Sequence, residues 1–391
     1  MMKIAHMADT HLGHRQYGIE EREDDLYEAF KNVIDDMIER DVDVVLHSGD
    51  LFQNPKPQIK AILAAKEGFE KLKKHNIPVY AIAGNHDIMR KSGTKIPHEL
   101  FIDDNFHVLT TRKNHVVVNG EVFIAGLPFL QRSEEKVIER LLEQIQEASQ
   151  GYKYKILMLH GGLEKFNEGT FEYEFSNKAL PEGFDYFAMG HIHQKLTGDF
   201  KGAEVAYAGS IERIDKKEQL DHQNKPKGYN LLTLSDGKVE YEEIAVPLKR
   251  EFLIRDIEYP KFDEQLENLV NEITTINEKT KQNPILHLTI KDGRFEKSEI
   301  SPILHKTLDD ITLTLKVKYR PIEDEEEEIF SNVEKEHLTP EYFINERVMA
   351  EFENETISRY AVDLYEQLAQ KNMEESGNLA SRLYNEIYNE N

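Results

Sequence analysis

Short apolar runs recur through the first 245 residues, separated by longer stretches with helical spacing. Residues 3–8, 42–47, 79–83, 122–125, 155–160, 186–189 and 204–208 are rich in Val, Ile, Leu and aromatics, as buried strands are. Between the first two runs, Leu26, Phe30, Val33, Met37 and Ile38 recur at helical spacing and predict an amphipathic helix. Further helices are predicted over 57–75 and 134–149. Asn119-Gly120 and Asp236-Gly237, each flanked by strand-like residues, signal hairpins. Strands alternating with helices in this way predict a layered α/β domain over residues 1–246.

After Pro247 the pattern changes. A strand over 252–258, a helix over 263–281, a strand over 285–290, a helix over 298–308 and a strand over 311–318 predict a compact βαβαβ unit, residues 247–321. The acidic run 323–328 predicts a solvated linker over 322–338. Residues 339–391 read as two helices, the first with Thr339 as N-cap and Pro340 at its first position. Ile357, Ala361, Leu364, Tyr365 and Leu368 form its apolar stripe. Gly377-Asn378 is expected to break the pattern before a second stripe, Leu379, Leu383 and Ile387.

At 391 residues the chain is too long for a single compact core, and its 39% hydrophobic content can build more than one. No apolar run approaches the ~20 residues of a membrane span. The first nine residues already contain His6 and Asp9, unlike a signal peptide. Cysteine is absent, so any metal must be held by histidine, carboxylate and amide groups, and a cytoplasmic location is expected. The net charge of −24 is uneven: residues 321–391 carry 19 acidic and 5 basic side chains, a net of −14, leaving −10 for residues 1–320. That balance opposes tight DNA binding by this chain alone and points to bound cations or a partner. An acidic, salt-adapted proteome gives the same excess.

Against that background, the placement of His, Asp and Asn stands out. Asp9-Thr10-His11, Gly49-Asp50, Gly84-Asn85-His86-Asp87, His160-Gly161-Gly162 and Gly190-His191-Ile192-His193 each close a predicted strand. Singly, each is ordinary: Asp-x-His occurs in caps and loops, and Gly-Asn-His-Asp suits a turn. Together they deliver metal-type ligands to one sheet edge, where open α/β sheets place their sites. The glycines at 49, 84, 161 and 190 are expected to turn the backbone sharply beside the ligands. Two carboxylates, one amide and four imidazoles suit Mn²⁺, Fe²⁺ or Zn²⁺ better than Ca²⁺. Seven ligands exceed one ion with an open position but match two ions sharing a carboxylate, an arrangement that favours phosphoryl hydrolysis.

These motifs resemble those of the calcineurin-like metallophosphoesterases. More narrowly, His11-Leu12-Gly13, Gly49-Asp50-Leu51-Phe52, Pro78-Val79 leading into Gly84-Asn85-His86-Asp87, and Gly190-His191-Ile192-His193 resemble the SbcD-type nuclease. That protein is the nuclease subunit of the Mre–Rad (MRN-type) complex that processes DNA double-strand breaks. The resemblance implies a layered β-sandwich flanked by helices, a small α+β capping domain and a partner-binding helical pair. It implies two Mn²⁺ per subunit: Asp9, His11 and His193 on one, Asn85, His160 and His191 on the other, Asp50 bridging. His86 would not ligate but would assist the leaving oxygen as an acid. It also implies 3′-to-5′ exonuclease and single-strand endonuclease activity. Many relatives carry a further His where this chain has Gln53, which puts the balance of those two activities in question.

The resemblance implies partners as well. The two C-terminal stripes would dock on the coiled coil of an SMC-like ATPase of the Rad/SbcC type; the lesser alternative is that they pack on each other or on the catalytic domain. Ile59, Ile62, Leu63, Phe69, Leu100 and Phe101 are candidates for a homodimer interface, or for ordinary core. Arg15, Arg90, Lys91 and Lys95 follow the first and third motifs and are candidates for phosphate contacts, or solvated loop residues. Two other readings stand beside the nuclease: a phosphoesterase acting on small phosphomonoesters or cyclic nucleotides, and a repair scaffold with a degenerate site. The cap and the long acidic extension disfavour the first, and the complete ligand set disfavours the second.

Overall fold

The computed structural model describes residues 1–89, 95–166, 173–214, 216–222, 225–322, 344, 348, 355–369 and 373–388. The chain divides into two compact units. One comprises Met1–Arg255, Asn268–His287 and His305–Lys316; the other comprises Asp256–Glu267, Leu288–Leu304 and the described residues of Val317–Asn391.

Two six-stranded sheets dominate the first unit. In the first sheet, β1 (Met2–Met7), β2 (Val44–Ser48), β3 (Val79–Ile82) and β4 (Phe106–Val108) run parallel in that order. The hairpin of β11 (Gly228–Ser235) and β12 (Lys238–Ala245) continues the sheet antiparallel beyond β1. In the second, β6 (Val122–Gly126), β7 (Tyr154–His160), β8 (Tyr186–Gly190) and β10 (Ala203–Tyr207) are parallel. Antiparallel β5 (His115–Val118) and β9 (Leu196–Phe200) close its two edges.

Side-chain alternation explains the layering. Ile4, Val44, Leu46 and Ile82 point from the first sheet into a core shared with Ile124, Ile156, Met158 and Ala188 of the second. On the outer face of the first sheet, Ala5, Met7 and Val45 meet Phe30, Val33, Met37 and Leu72 from α1 (Glu20–Glu39) and α2 (Ile59–Lys74). Against the second sheet, Ile138, Leu142 and Ile145 of α3 (Glu135–Ala148) cover Phe123, Leu157 and Phe187. Each large apolar side chain so buried contributes about 1.5–3 kcal/mol. Strands β2 and β7 are covered on both faces, which is why they read as continuous apolar runs rather than alternating ones. The short α4 (Lys216–His222) had no sequence signal, because four of its seven residues are charged and no apolar period develops.

Strands β13 (Phe252–Glu258), β14 (Ile285–Lys291) and β15 (Thr314–Arg320) form a three-stranded sheet in that order. They alternate along the chain with α5 (Phe262–Thr280) and α6 (Lys297–Leu308), as the βαβαβ pattern predicted. β15 begins later than expected because a 3-10 turn at Asp309–Ile311 follows α6, and Thr312 bonds back to the Leu308 carbonyl.

Helices α7 (Glu355–Ala369) and α8 (Met373–Tyr388) pack against each other. Ile357 and Leu379 are buried, Ala361 and Leu364 half-buried, and Leu368 is exposed. Gly377-Asn378 does not separate the helices but lies inside α8. An interior glycine costs a helix only about 1 kcal/mol, and this one faces open space, so its neighbours carry the helix through. The acidic run, Thr339 and Pro340 lie outside the described residues, as do the side chains of Leu383 and Ile387.

Candidate metal centre

Parallel register brings the strand ends into line, pairing Met7 with His47, Ser48 with Ile82, and His160 with Gly190. Asp9 and His11 follow β1, Asp50 follows β2, Asn85 and His86 follow β3, His160 ends β7, and His191 and His193 follow β8. The ligand types therefore arrive from two sheets, not from the edge of one. Strand composition reports burial but not which strand pairs with which, so this division was invisible in the sequence.

The loops carrying these residues are bonded to one another. Asp9 and His11 donate their backbone N–H groups to the carbonyls of Gly49 and Asp50, both at 3.0 Å. The Asp9 carboxylate accepts from His191 N at 2.9 Å, and the Asp50 carboxylate accepts from His86 N at 2.8 Å. Asp9, His11, Asp50 and His191 all adopt positive φ, at 51°, 44°, 54° and 95°. Such backbone strain costs on the order of 1–3 kcal/mol per residue and persists where surrounding contacts over-determine it. Gly49 does turn the chain at φ 94°, but Gly84 and Gly190 serve a different need. A Cβ at Gly84 would lie 2.1 Å from Asp50 Oδ1, and one at Gly190 would lie 2.1 Å from the Ser48 carbonyl, so the requirement there is close approach.

Asp9, His11 and His193 can bring one ligand atom each to within 4.8 Å of one another, as can His11, Asp50 and His86, and Asp9, Asp50 and His160. Asn85 Oδ1 lies 3.0 Å from both His160 Nε2 and His191 Nδ1, which ties the amide and the remaining imidazole to the same cluster. His86 approaches His11 edge-on, ring centroids 4.8 Å apart, while its Nδ1 lies 3.0 Å from the Gln53 carbonyl. Phe129 stacks on His191 at 6.3 Å.

The donor set asks for cations. His160 donates Nδ1–H to the Ser48 carbonyl at 2.7 Å, which turns its Nε2 toward Asn85 Oδ1 and, at 3.3 Å, toward Asp50 Oδ2. His193 directs Nδ1 at the Glu218 carboxylate, 3.1 Å away, and its Nε2 faces His11 Nε2 at 2.9 Å. Ring nitrogens, an amide oxygen and carboxylates gathered this closely need protons or metal ions between them. The protonation balance agrees. Burial pushes Asp9 up to about 6. Burial also opposes ionisation of Asp50 and His160, yet their mutual attraction wins, holding the carboxyl low and the imidazole high. Burial and neighbouring imidazoles push His11 well down and His191 down to about 4, leaving neutral ligand rings. The residues present thus fit divalent metal ions.

Two polar residues were not singled out for these roles. Asp87, wholly buried, accepts the N–H groups of Leu51, Phe52 and Gly84 and so clamps the second and third loops together. Glu218 on α4 reaches His193 across 25 positions of sequence, a separation no motif spacing reveals. The other expected site residues are scattered. Arg15 is engaged by Glu23 at 2.6 Å, and Lys95 lies 3.4 Å from Glu99. Arg90 and Lys91 lie outside the described residues. Ile59, Leu63 and Leu100 are exposed and Ile62 is half-buried, whereas Phe101 packs against Phe52, Phe69 and Phe106 in the core.

A family model described as calcineurin-like phosphoesterase matches residues 2–195, the stretch from β1 to just beyond His193. Layered sheets with this polar crest therefore define a phosphate-ester hydrolase of that class. Three relatives narrow the class, each a DNA double-strand break repair protein Mre11. That of Methanococcus maripaludis is 37% identical over 306 residues, 75% of this chain and 79% of that protein. That of Methanocaldococcus jannaschii is 36% identical over 293 residues, 74% and 77% of the respective chains. A third, from Saccharolobus solfataricus, is 30% identical over 338 residues, 85% of each. The chain belongs to the Mre11 family.

Proposed function

We propose that this chain is the Mn²⁺-dependent nuclease subunit of a DNA double-strand-break repair complex, with duplex 3′-to-5′ exonuclease and single-strand endonuclease activity. The observation that carries this reading is the convergence of imidazole, carboxylate and amide groups from two sheets, in a chain whose relatives are named for break repair. Asp9, His11 and His193 would hold one Mn²⁺, Asn85, His160 and His191 the other, and Asp50 both. Bound there, two ions supply positive charge to the phosphate and lower the pKa of water.

The chain's own residues do the rest. His86, oriented through Nδ1 by the Gln53 carbonyl, keeps Nε2 for the proton required by the leaving oxygen. Asp87 holds the loops that set Asp50 and His86 side by side. Phe129 stacks on His191 at one flank of the centre. Exposed Ile59, Leu63 and Leu100 support a homodimer interface. Leu368, exposed on α7, supports docking on an SMC-like coiled-coil ATPase, whereas Ile357 and Leu379 are already buried.

Cleavage of linear duplex DNA in Mn²⁺, beside a chromogenic phosphomonoester, tests the reading. DNA cleavage with the monoester untouched is expected. Hydrolysis of the monoester alone would move the chain to small-molecule phosphate chemistry. For the partner, deleting residues 335–391 should abolish co-purification with a coiled-coil ATPase; unchanged co-purification would contradict the docking.

A further inference from the structure

The outer nitrogens of the centre's imidazoles are held in unlike ways. His160 gives its outer proton to a backbone carbonyl, Ser48 O. His193 instead meets the buried carboxylate of Glu218 at 3.1 Å. That carboxylate belongs to a chain of polar groups. Its second oxygen lies 2.5 Å from Lys227 Nζ and 2.6 Å from Ser210 Oγ. Lys227 also donates to Ser210 Oγ at 2.7 Å and to the His193 carbonyl at 2.8 Å. Ser210 N donates to that same carbonyl at 3.1 Å. Glu218, Lys227 and Ser210 are all nearly inaccessible to solvent. The strand-to-loop segment can approach this closely because Gly209 has no side chain; a Cβ there would lie 2.7 Å from the His193 carbonyl. Both the ring and the backbone of His193 are therefore gripped by one buried ion pair.

A carboxylate on Nδ1 fixes an imidazole as its Nδ1–H tautomer and frees Nε2, the atom that faces His11 Nε2. We propose that Glu218 is the positioning residue for the Asp9–His11–His193 half of the centre, orienting His193 Nε2 toward a divalent cation, with Lys227 balancing its charge. This inference rests on the metal reading given above. It implies that the two ions are unequally dependent on outer contacts. Loss of the carboxylate weakens the ion held by His193 and leaves the ion at Asn85, His160 and His191 unchanged.

The test is a Mn²⁺ titration of the full chain by electron paramagnetic resonance, counting ions bound and their affinities. Glu218→Gln keeps the shape but strands the Lys227 ammonium, so Glu218→Gln with Lys227→Met is measured beside it. Thermal unfolding in EDTA provides a metal-free readout of the fold. The expected result is two ions in the parent chain and, in both variants, one affinity lowered about 10–100-fold with the other retained. The EDTA unfolding midpoint of the paired variant should match the parent. Two ions at parental affinities in the paired variant would overturn the inference alone. So would a parallel loss of both affinities together with a lowered EDTA midpoint, since that marks a structural role. A parent chain that binds no Mn²⁺ would overturn the metal reading and the inference with it.

Discussion

The two halves of the centre reach the same crest by different means. On the side of His160 and His191, the outer groups are neutral: a carbonyl of β2 holds His160 and a phenyl ring stacks on His191. On the side of His193, support comes from a buried glutamate and lysine contributed by α4 and by the approach to β11. A neutral hydrogen bond fixes a ring's direction, whereas a charge-assisted one also raises the ring's affinity for positive charge. Asp50 lies between them, 3.3 Å from His160 and 3.7 Å from His11, so its loss damages both halves.

That contrast orders the expected effects. Asp50→Asn removes the shared carboxylate and should cost about three orders of magnitude in Mn²⁺-dependent DNA cleavage, several kcal/mol of lost charge stabilisation. Retained activity would show that the halves do not depend on a common ligand. His86→Ala should lower the cleavage rate about 10²–10⁴-fold while both ions stay bound, as for the loss of an acid. Loss of metal along with activity would instead make His86 a ligand, as its grouping with His11 and Asp50 allows.

Beneath both halves, burial holds His6 and His47 down at about 3. Unfolded histidines titrate near 6.5, so the unfolded chain binds more protons than the folded chain between about pH 6.5 and 3. The stability they contribute is complete above pH 6.5 and is lost as pH falls, by about 1.4 kcal/mol per pH unit for each ring. The unfolding midpoint in EDTA should therefore drop steeply between pH 6.5 and 5; a flat profile would mean these rings are charged in the fold. The smallest effect belongs to Arg15, which already has Glu23 as its partner. Arg15→Ala should reduce the salt dependence of DNA binding by about one phosphate contact and leave cleavage of saturating DNA unchanged.

The same two halves show what could be read from sequence. The convergence of Asp9, His11, Asp50, Asn85, His86, His160, His191 and His193 was legible because each closes an apolar run or follows it directly, and a strand fixes where its end points. The βαβαβ order and most strands of the two sheets were legible for the same reason, but β4 and β9 were not, since one has only three residues and the other interrupts its apolar residues with Thr, Gly and Asp. The assignment of β1–β3 to one sheet and β7–β8 to the other was not, since pairing depends on long-range packing. Glu218 and Lys227 were not legible either: a seven-residue helix lacks an amphipathic period, and its contact with His193 exists only once β8 and β11 are assembled. The helix through Gly377 shows a local rule overridden by its neighbours.

The most direct test is diffraction from crystals soaked in Mn²⁺, recorded at the manganese absorption edge. Two anomalous peaks are predicted, both touching Asp50, one beside Asp9, His11 and His193 and the other beside Asn85, His160 and His191, with His86 coordinated to neither. A single peak, or one ligated by His86, would contradict the account.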